Sequence, residues 1–323
     1  METISDMVRG KRFFVTGATG LIGKNVVAYL LQNGAEVLAL TRRPAENLDY
    51  ILGTVEDLPE IPGDIDYIIH GASATASAYF VEHPVETIQT AVLGTRNVLE
   101  LARKKRVKGL VYLSSMEVYG YPEKGHKVTE NEVAGFDPTN PRNCYPISKQ
   151  LCESMCCAYA KEYGVPAKII RLTQTFGPGM KREDKRLFAE MMRCAIEKRD
   201  IVLHTKGETE HAYLYTEDAA QAILTVLFCG SAGAAYSAAD PESYCSIAQL
   251  AETVAKMYGI RVRYELGDIQ KLGYANTKYM DLDVSKLEAL GWSAKTGLKE
   301  AIEKTVRGMR EFHGWTGKSF TDH

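Results

Sequence analysis

The sequence predicts an α/β protein with a doubly wound parallel sheet and a second, smaller α/β domain towards the C-terminus. Three observations predict it: an apolar strand at residues 13–15 that runs into regularly spaced glycines, an alternation of strands and helices up to residue 173, and a less regular alternation after it. Strands that alternate with helices form parallel sheets covered by helices on both faces. The 323 residues and 45% hydrophobic content suffice for such a core.

The first strand is followed by Gly17, Gly20 and Gly23, where a side chain would block a tight turn, a pyrophosphate or helix–strand packing. Apolar residues then recur at helical spacing over residues 22–31, so the turn lies at a helix N-terminus, which favours phosphate. A glycine turn can also be a plain tight connection, but the flanking strand and helix favour a dinucleotide site. Its predicted cofactor contacts are Gly17, Thr19, Gly20, Leu21, Ile22 and Gly23.

The end of the second strand, residues 36–40, selects the cofactor. An acidic residue there binds the ribose of NAD, whereas an arginine accommodates the 2′-phosphate of NADP. Arg42 and Arg43 occupy this position, which predicts NADP, with NAD as the alternative. The competing interpretation is two exposed arginines at a strand end.

The following strands, predicted at residues 51–55, 67–70 and 109–113, also end in candidate site residues. Small residues after the fourth strand let the backbone approach a ligand closely. Ligands of doubly wound sheets bind at the carboxyl ends of the strands, where all these clusters lie. The further cofactor contacts predicted here are Gly71, Ala72 and Ser73, and the third strand leads to Asp57 and Leu58 at the same edge.

After a loop predicted over residues 120–144, a helix places Tyr145 and Lys149 one turn apart on one face. A phenol with a pKa near ~10 is a weak base at neutral pH, but a nearby cation lowers that pKa. Lys149 or an oxidised nicotinamide ring supplies such a charge. Tyr145 is therefore the predicted base that removes a hydroxyl proton while hydride passes to the cofactor.

Ser115, Glu117 and Tyr119 alternate at period two after the fifth strand, so in an extended conformation they would face one way. Ser115 would then hydrogen-bond the oxygen that Tyr145 deprotonates, and Glu117 would act as a second acid or base. The alternative is a serine that caps the strand and a surface carboxylate at Glu117.

The bulk composition excludes several classes of protein. A net charge of −2 without long single-sign blocks gives no footprint for nucleic acid or an anionic membrane. No signal peptide or membrane-spanning run is present, which predicts a cytoplasmic protein. The seven cysteines form no metal-ligand set or disulfide framework, and Cys152 and Cys156, one turn apart, are interpreted as packed core residues rather than a thiol or metal site.

Motifs over residues 11 to about 310 resemble the extended short-chain dehydrogenase/reductases, and within them the NAD(P)-dependent nucleotide-sugar epimerases and dehydratases. These motifs are the glycine turn at 16–23, Asp57-Leu58, the run 114–120, Tyr145-x-x-x-Lys149, and the segments 176–179 and 287–292. The resemblance implies a Rossmann domain (1–173 plus about 209–240) and a substrate-binding domain (about 174–208 and 241–323). It also implies a Ser115–Tyr145–Lys149 triad, adenine contacts from Asp57 and Leu58, and a homodimer packed through helices at 92–103 and 147–160.

The same resemblance implies an enzyme that oxidises C4 of a nucleotide sugar to a 4-keto intermediate. Relatives that abstract the C5 proton carry a glutamate at the place of Glu117, but the acid of one dehydratase group is replaced by Met116, whose thioether donates no proton. His211 stands where many relatives bind phosphate with arginine, and histidine is only partly charged at neutral pH; Lys278 or the pair at 181–182 would compensate. The predicted substrate-binding residues are Ser115, Met116, Thr175, His211 and Lys278.

Two other functions stay open at this point. One is an NADPH-dependent reductase of a ketone or keto-sugar, which would consume its cofactor. The other is a non-catalytic NADP-sensing or partner-binding protein, against which the intact Tyr145 and Lys149 count.

Overall fold

The computed structural model describes residues 3–45, 47–74, 77–267 and 277–312. The strands alternate with the helices through the first half of the chain and less regularly afterwards. The strands are β1 Arg12–Thr16, β2 Glu36–Thr41, β3 Asp49–Leu52, β4 Tyr67–His70, β5 Gly109–Ser115, β6 Lys127–Val128, β7 Ala167–Leu172, β8 Gln174–Phe176, β9 Ile201–Leu203, β10 Glu210–Tyr215, β11 Ala235–Ala238, β12 Asp240–Ser246, β13 Val262–Tyr264 and β14 Tyr279–Leu282. The α-helices are α1 Ile4–Val8, α2 Leu21–Gln32, α3 Ser77–Glu82, α4 Pro84–Lys105, α5 Cys144–Tyr163, α6 Leu187–Glu197, α7 Thr216–Cys229, α8 Ile247–Tyr258, α9 Ser285–Glu288 and α10 Leu298–Phe312.

The large sheet has seven parallel strands in the order β11-β7-β5-β4-β1-β2-β3. The strand order reverses between β1 and β4, which creates the crevice where doubly wound sheets bind nucleotides. The predicted fold class is therefore confirmed.

Each face of this sheet carries its own hydrophobic core. Phe13 and Val15 of β1 point to one face and pack with apolar residues of α2 and α7. Phe14, between them, points to the other face and packs with α4 and α5. Side chains of successive strand residues alternate between faces, so a strand covered by helices on both sides is apolar throughout. Cys152 and Cys156 are fully buried in the second core, as their interpretation as packed residues predicts.

The rest of the chain forms smaller sheets. One has the order β12-β10-β14-β6, with β8 paired to β10, and another joins β13 to β9. Helices α6, α8 and α10 pack together in a third core, which includes Met191, Leu250 and Ile302. A hydrogen bond joins β10 to the large sheet: Thr173 Oγ1, directly after β7, donates to the carbonyl of Ala212 at 2.6 Å.

The observed boundaries differ from the predicted ones in two places. The third strand lies at Asp49–Leu52 rather than at 51–55, and the predicted loop 120–144 contains β6 and a 3-10 turn, Pro141–Asn143. Of the described helices, none has both the length and the apolar character needed to cross a bilayer.

Candidate functional site

The glycine turn after β1 is shaped so that only glycine fits. Gly17 has a φ of +74°, and a Cβ there would lie 2.7 Å from the carbonyl carbon of Gly71. A Cβ at Gly23 would lie 2.1 Å from the carbonyl oxygen of Gly17. Gly20 precedes α2 without a side-chain cap, so the first N–H groups of the helix are open to an anion. These residues fit the diphosphate of a dinucleotide.

The other predicted cofactor residues lie along the same edge of the sheet. Exposed Arg42 and Arg43 follow β2, Asp57 and Leu58 come soon after β3, and residues 71–73 follow β4 directly. The loop after β4 is tied to β1, since Thr16 Oγ1 accepts a hydrogen bond from the Ala72 amide at 3.2 Å. The fold thus gathers these residues around the crevice between β1 and β4.

Helix α5 supplies Tyr145 and Lys149, both buried. The Lys149 ammonium donates to the carbonyl of Leu113 in β5 at 2.7 Å and lies 5.7 Å from the centroid of the Tyr145 ring. Burial lowers the pKa of Lys149 to about 8, because a desolvated ammonium is disfavoured. Lys149 therefore links the helix to the strand that carries Ser115.

The pKa of Tyr145 is raised to about 12 by burial, against a smaller lowering by a hydrogen bond with Ser115; the charge of Glu117 adds to the rise. Lys149 is not among the groups that shift this pKa in the structure described, and its predicted effect on Tyr145 stays a prediction. The physical reason is that the ammonium points to the Leu113 carbonyl while the phenol is desolvated. The other cation named from the sequence, an oxidised nicotinamide ring, is left to supply the charge.

Residues 116–119 form a 3-10 turn rather than an extended segment, so the predicted period-two alignment of Ser115, Glu117 and Tyr119 is wrong. Ser115 caps this turn, since its Oγ accepts from the amide of Glu117 at 3.3 Å. The turn sends Tyr119 into the interior, where its hydroxyl contacts Ser237 at 2.6 Å. Ser115 and Glu117 stay near Tyr145, while Tyr119 serves the core.

The predicted substrate residues Met116, Thr175, His211 and Lys278 come from different elements. Met116 is 3% exposed, and its sulfur lies 3.3 Å from Thr173 Oγ1, the hydroxyl that donates to the Ala212 carbonyl. Thr175, in β8, is buried and donates to the Thr173 carbonyl at 3.0 Å.

Lys278, just before β14, forms an ion pair of 2.5 Å with Glu117. His211, in β10, is buried beside this pair, and its Nδ1 has no hydrogen-bond partner among the residues that the structure describes. Burial, aided by the charge of Lys278 and opposed by that of Glu117, lowers the pKa of His211 to about 4. This imidazole is therefore neutral at physiological pH.

Sequence reasoning missed two contacts of the catalytic helix. The Phe80 ring of α3 stacks on Tyr145, with centroids 5.0 Å apart and planes at 12°; nothing in the sequence indicates this contact. Glu153, buried one turn beyond Lys149, binds Arg171 of β7 at 2.7 Å. The spacing of Tyr145, Lys149 and Glu153 on one helix face was the available signal.

A dinucleotide crevice with a tyrosine–lysine pair beside a strand-end serine defines the class of nucleotide-dependent Rossmann enzymes. The sequence matches the NAD dependent epimerase/dehydratase family over residues 13–239. The chain belongs to this family, as the motifs predicted.

Relatives and solved structures agree with this assignment. The chain is 29% identical to UDP-glucuronic acid decarboxylase 1 of Xenopus tropicalis, over 93% of this chain and 72% of the relative. It is 25% identical to the dTDP-glucose 4,6-dehydratase of Streptomyces venezuelae, solved with NAD and TYD, with a TM-score of 0.79 and coverage of 94% and 98%. The UDP-glucose 4-epimerase of Thermotoga maritima shares the fold at 22% identity, with a TM-score of 0.81 and coverage of 94% and 99%.

These findings confirm the predicted enzyme class: an NAD-dependent member of a family whose nucleotide-sugar decarboxylases, dehydratases and epimerases accord with 4-keto chemistry. Of the two alternative functions, a keto-sugar reductase is one of three activities in the name of a trifunctional Arabidopsis thaliana relative, which is 25% identical over 95% of this chain and 48% of its own length.

Proposed function

We propose that the chain converts a nucleotide-linked hexuronic acid by oxidation at C4, followed by loss of the C6 carboxylate as CO2. The observation that carries the first step is the grouping of buried Tyr145 and Lys149 on α5 with Ser115 at the carboxyl end of β5, to which the Lys149 ammonium is joined through the Leu113 carbonyl. A bound nicotinamide cofactor, held by the glycine turn and Lys149, would supply reversible hydride transfer at C4.

The chain's own residues move the proton and hold the reactants. Tyr145 takes the proton of the C4 hydroxyl, and Ser115 holds the same oxygen by a hydrogen bond. Lys149 binds the ribose of the cofactor with the ammonium that otherwise donates to the Leu113 carbonyl. The positive charge of an oxidised nicotinamide ring beside Tyr145 would lower the pKa of the phenol towards the range in which it acts as a base.

The residues beside Ser115 favour decarboxylation over dehydration as the second step. Dehydration requires an acid for the departing hydroxyl, and Met116 is a buried thioether that carries no proton to donate. In a 4-keto uronic acid the C6 carboxylate is bonded to C5, the carbon next to the C4 ketone. CO2 can therefore depart without such an acid. The ammonium of Lys278 suits a carboxylate at C6, and the relative from Xenopus tropicalis is named for UDP-glucuronic acid.

Incubation with UDP-glucuronic acid and substoichiometric NAD, followed by NMR, tests this function. The expected product is a UDP-pentose that lacks C6, with NAD regenerated over many turnovers. Tyr145→Phe is the matched control and is expected to abolish the conversion. Inversion at C4 with C6 retained would indicate an epimerase, and equal product from Tyr145→Phe would refute the role of this residue. A parallel incubation of a keto-sugar with NADPH tests the reductase alternative, which would consume NADPH stoichiometrically.

We also propose that the cofactor is NADP in preference to NAD. Arg42 and Arg43 are both exposed at the end of β2, where a 2′-phosphate would lie. Cofactor binding followed by fluorescence tests this: Arg42→Ala/Arg43→Ala should weaken NADP and leave NAD unchanged. Tighter binding of NAD than of NADP by the unmodified protein would contradict the preference.

The proposed assembly is a homodimer in which α4 and α5 of each subunit meet their counterparts. Leu93 of α4 and Leu151 of α5 are 42% and 47% exposed on helices that cover the same face of the sheet, which supports an apolar contact there. Light scattering should give a dimeric mass, and Leu93→Arg/Leu151→Arg should give a monomer with unchanged circular dichroism.

We also propose the division into a nucleotide domain (1–173 plus about 209–240) and a substrate domain, and a cytoplasmic location.

A further inference from the structure

An ammonium and a carboxylate meet inside the candidate sugar site. The Nζ of Lys278 lies 2.5 Å from Oε2 of Glu117, across 161 residues of sequence. The lysine side chain is 11% exposed and the glutamate side chain 31% exposed, so the carboxylate is the partner that remains open to solvent. The amide of Glu117 donates to Ser115, which places the ion pair beside the reacting end of the site.

The groups that contact this pair or face its charges are one imidazole and two phenol rings. His211, from β10, is neutral and has an unpartnered, buried Nδ1. The Tyr121 ring lies 4.8 Å from the Lys278 ammonium, and Tyr145 of α5 faces the charge of Glu117. Lys278 is the cation that contacts the Glu117 carboxylate.

We propose that Lys278 exchanges partners during the reaction: it leaves Glu117 to bind the C6 carboxylate of the uronic acid, and Glu117 takes up a proton. This inference rests on the proposed function. Its physical basis is that two carboxylates cannot both stay ionised around one ammonium in a partly buried site, and the one that loses its cation binds the proton. The unpartnered Nδ1 of His211 lies beside the same pair as a hydrogen-bonding group for the sugar.

The protonated Glu117 then has a defined task at the 4-keto stage. The C5–C6 bond breaks, CO2 leaves, and the electron pair of that bond moves through C5 onto the C4 oxygen as an enolate. Glu117 donates its proton to C5 as the enolate returns to the ketone. The resulting Glu117 carboxylate pairs again with Lys278, because the C6 carboxylate that occupied this lysine has left as CO2. One proton from solvent is consumed per turnover.

Calorimetry of substrate binding tests the exchange without turnover. Tyr145→Phe with NAD is titrated with UDP-glucuronic acid and with UDP-glucose, whose C6 carries a neutral hydroxymethyl group, in buffers of different ionisation enthalpy at neutral pH. We expect uptake of up to about one proton with UDP-glucuronic acid and none with UDP-glucose. Glu117→Gln in the same background should abolish the uptake.

Affinity provides the second readout. Lys278→Met should weaken UDP-glucuronic acid by about tenfold or more, because a charge-assisted hydrogen bond is lost, and leave UDP-glucose unchanged. Lys278→Arg should retain the preference. Lys124→Met is the matched control, because Lys124 forms a 2.8 Å pair with Glu210 through a side chain that is 64% exposed.

Absence of proton uptake with UDP-glucuronic acid would overturn the exchange, and so would equal weakening of both ligands by Lys278→Met. The proton measurement on the Tyr145→Phe protein requires no change at Lys278, so it decides the matter even where a lysine variant misfolds. Failure of the proposed function appears separately, as no conversion of UDP-glucuronic acid by the unmodified enzyme.

Discussion

The buried ion pair between Arg171 and Glu153 fastens the catalytic helix to the sheet. Arg171 donates to both carboxylate oxygens of Glu153, at 3.0 and 2.7 Å, and to the Glu130 carbonyl at 2.8 Å. Ser114, one residue before the predicted catalytic serine, donates to the same carboxylate at 2.5 Å. Glu153 thus connects α5 to β5 and β7.

Replacement of Arg171 by methionine leaves the Glu153 carboxylate buried without its cation. Both residues are at most 6% exposed. Breaking such a pair costs ~3–5 kcal/mol, because the remaining charge is not solvated. The double variant Arg171→Met/Glu153→Leu removes both charges and should cost far less than the sum of the two single changes.

Urea unfolding of the four proteins, followed by circular dichroism at neutral pH, gives these free energies. Arg186→Met serves as the control, since the Arg186–Asp184 pair has an arginine side chain that is 39% exposed and should contribute at most ~1 kcal/mol. A single Arg171→Met change that costs no more than this control would refute the reasoning. Additive costs in the double variant would also refute it.

Three further predictions concern the glycine turn, the catalytic lysine and a buried carboxylate. Gly23→Val should lose dinucleotide binding, measured by fluorescence, because even a Cβ would lie 2.1 Å from the Gly17 carbonyl oxygen, whereas Lys24→Ala on the exposed side should not. Lys149→Met should raise the unfolding free energy at neutral pH by up to roughly 3 kcal/mol, since burial lowers the lysine pKa from 10.5 to about 8. Between those two pH values the unfolded chain binds more protons, so the unmodified protein should gain stability as pH rises and the variant should not; a stability curve shared by both would contradict this. Asp218→Ala should cost ~2–4 kcal/mol in urea unfolding, because Asp218 accepts from two backbone amides at 3.1 and 2.9 Å, and a cost near zero would count against it.

The nucleotide half of the site could be predicted because its determinants are local in sequence. The close approach of Gly23 to Gly17 spans two helical turns at most, and a strand followed by a helix is legible from apolar periodicity. Tyr145 and Lys149 are likewise neighbours on one helix. The family motifs placed these local signals in the correct order.

The sugar half could not be predicted to the same depth, because it depends on contacts between distant segments. Glu117 and Lys278 are 161 residues apart, and no periodicity relates them. The prediction of an extended conformation for residues 115–119 is wrong because residues 116–119 form a 3-10 turn that Ser115 caps. The hydrogen bond from the backbone to the serine side chain competes with strand formation. Phe80 reaches Tyr145 through the placement of α3, which the sequence does not specify.

Tyr145 and Lys149, the two proposed catalytic side chains, share one physical feature. Burial raises the pKa of Tyr145 to about 12 and lowers that of Lys149 to about 8, so the protein disfavours the charged form of each group. A cationic ring beside the phenol stabilises the phenolate, and ribose hydroxyls beside the ammonium stabilise its charge. Glu117 and Lys278, in contrast, already form an ion pair, so the sugar end favours a ligand whose carboxylate replaces Glu117 beside Lys278. The cofactor would act on Tyr145 and Lys149 in the same way with either sugar, whereas a neutral hexose has no carboxylate to exchange with Glu117. The comparison of UDP-glucuronic acid with UDP-glucose therefore separates the two halves of the site.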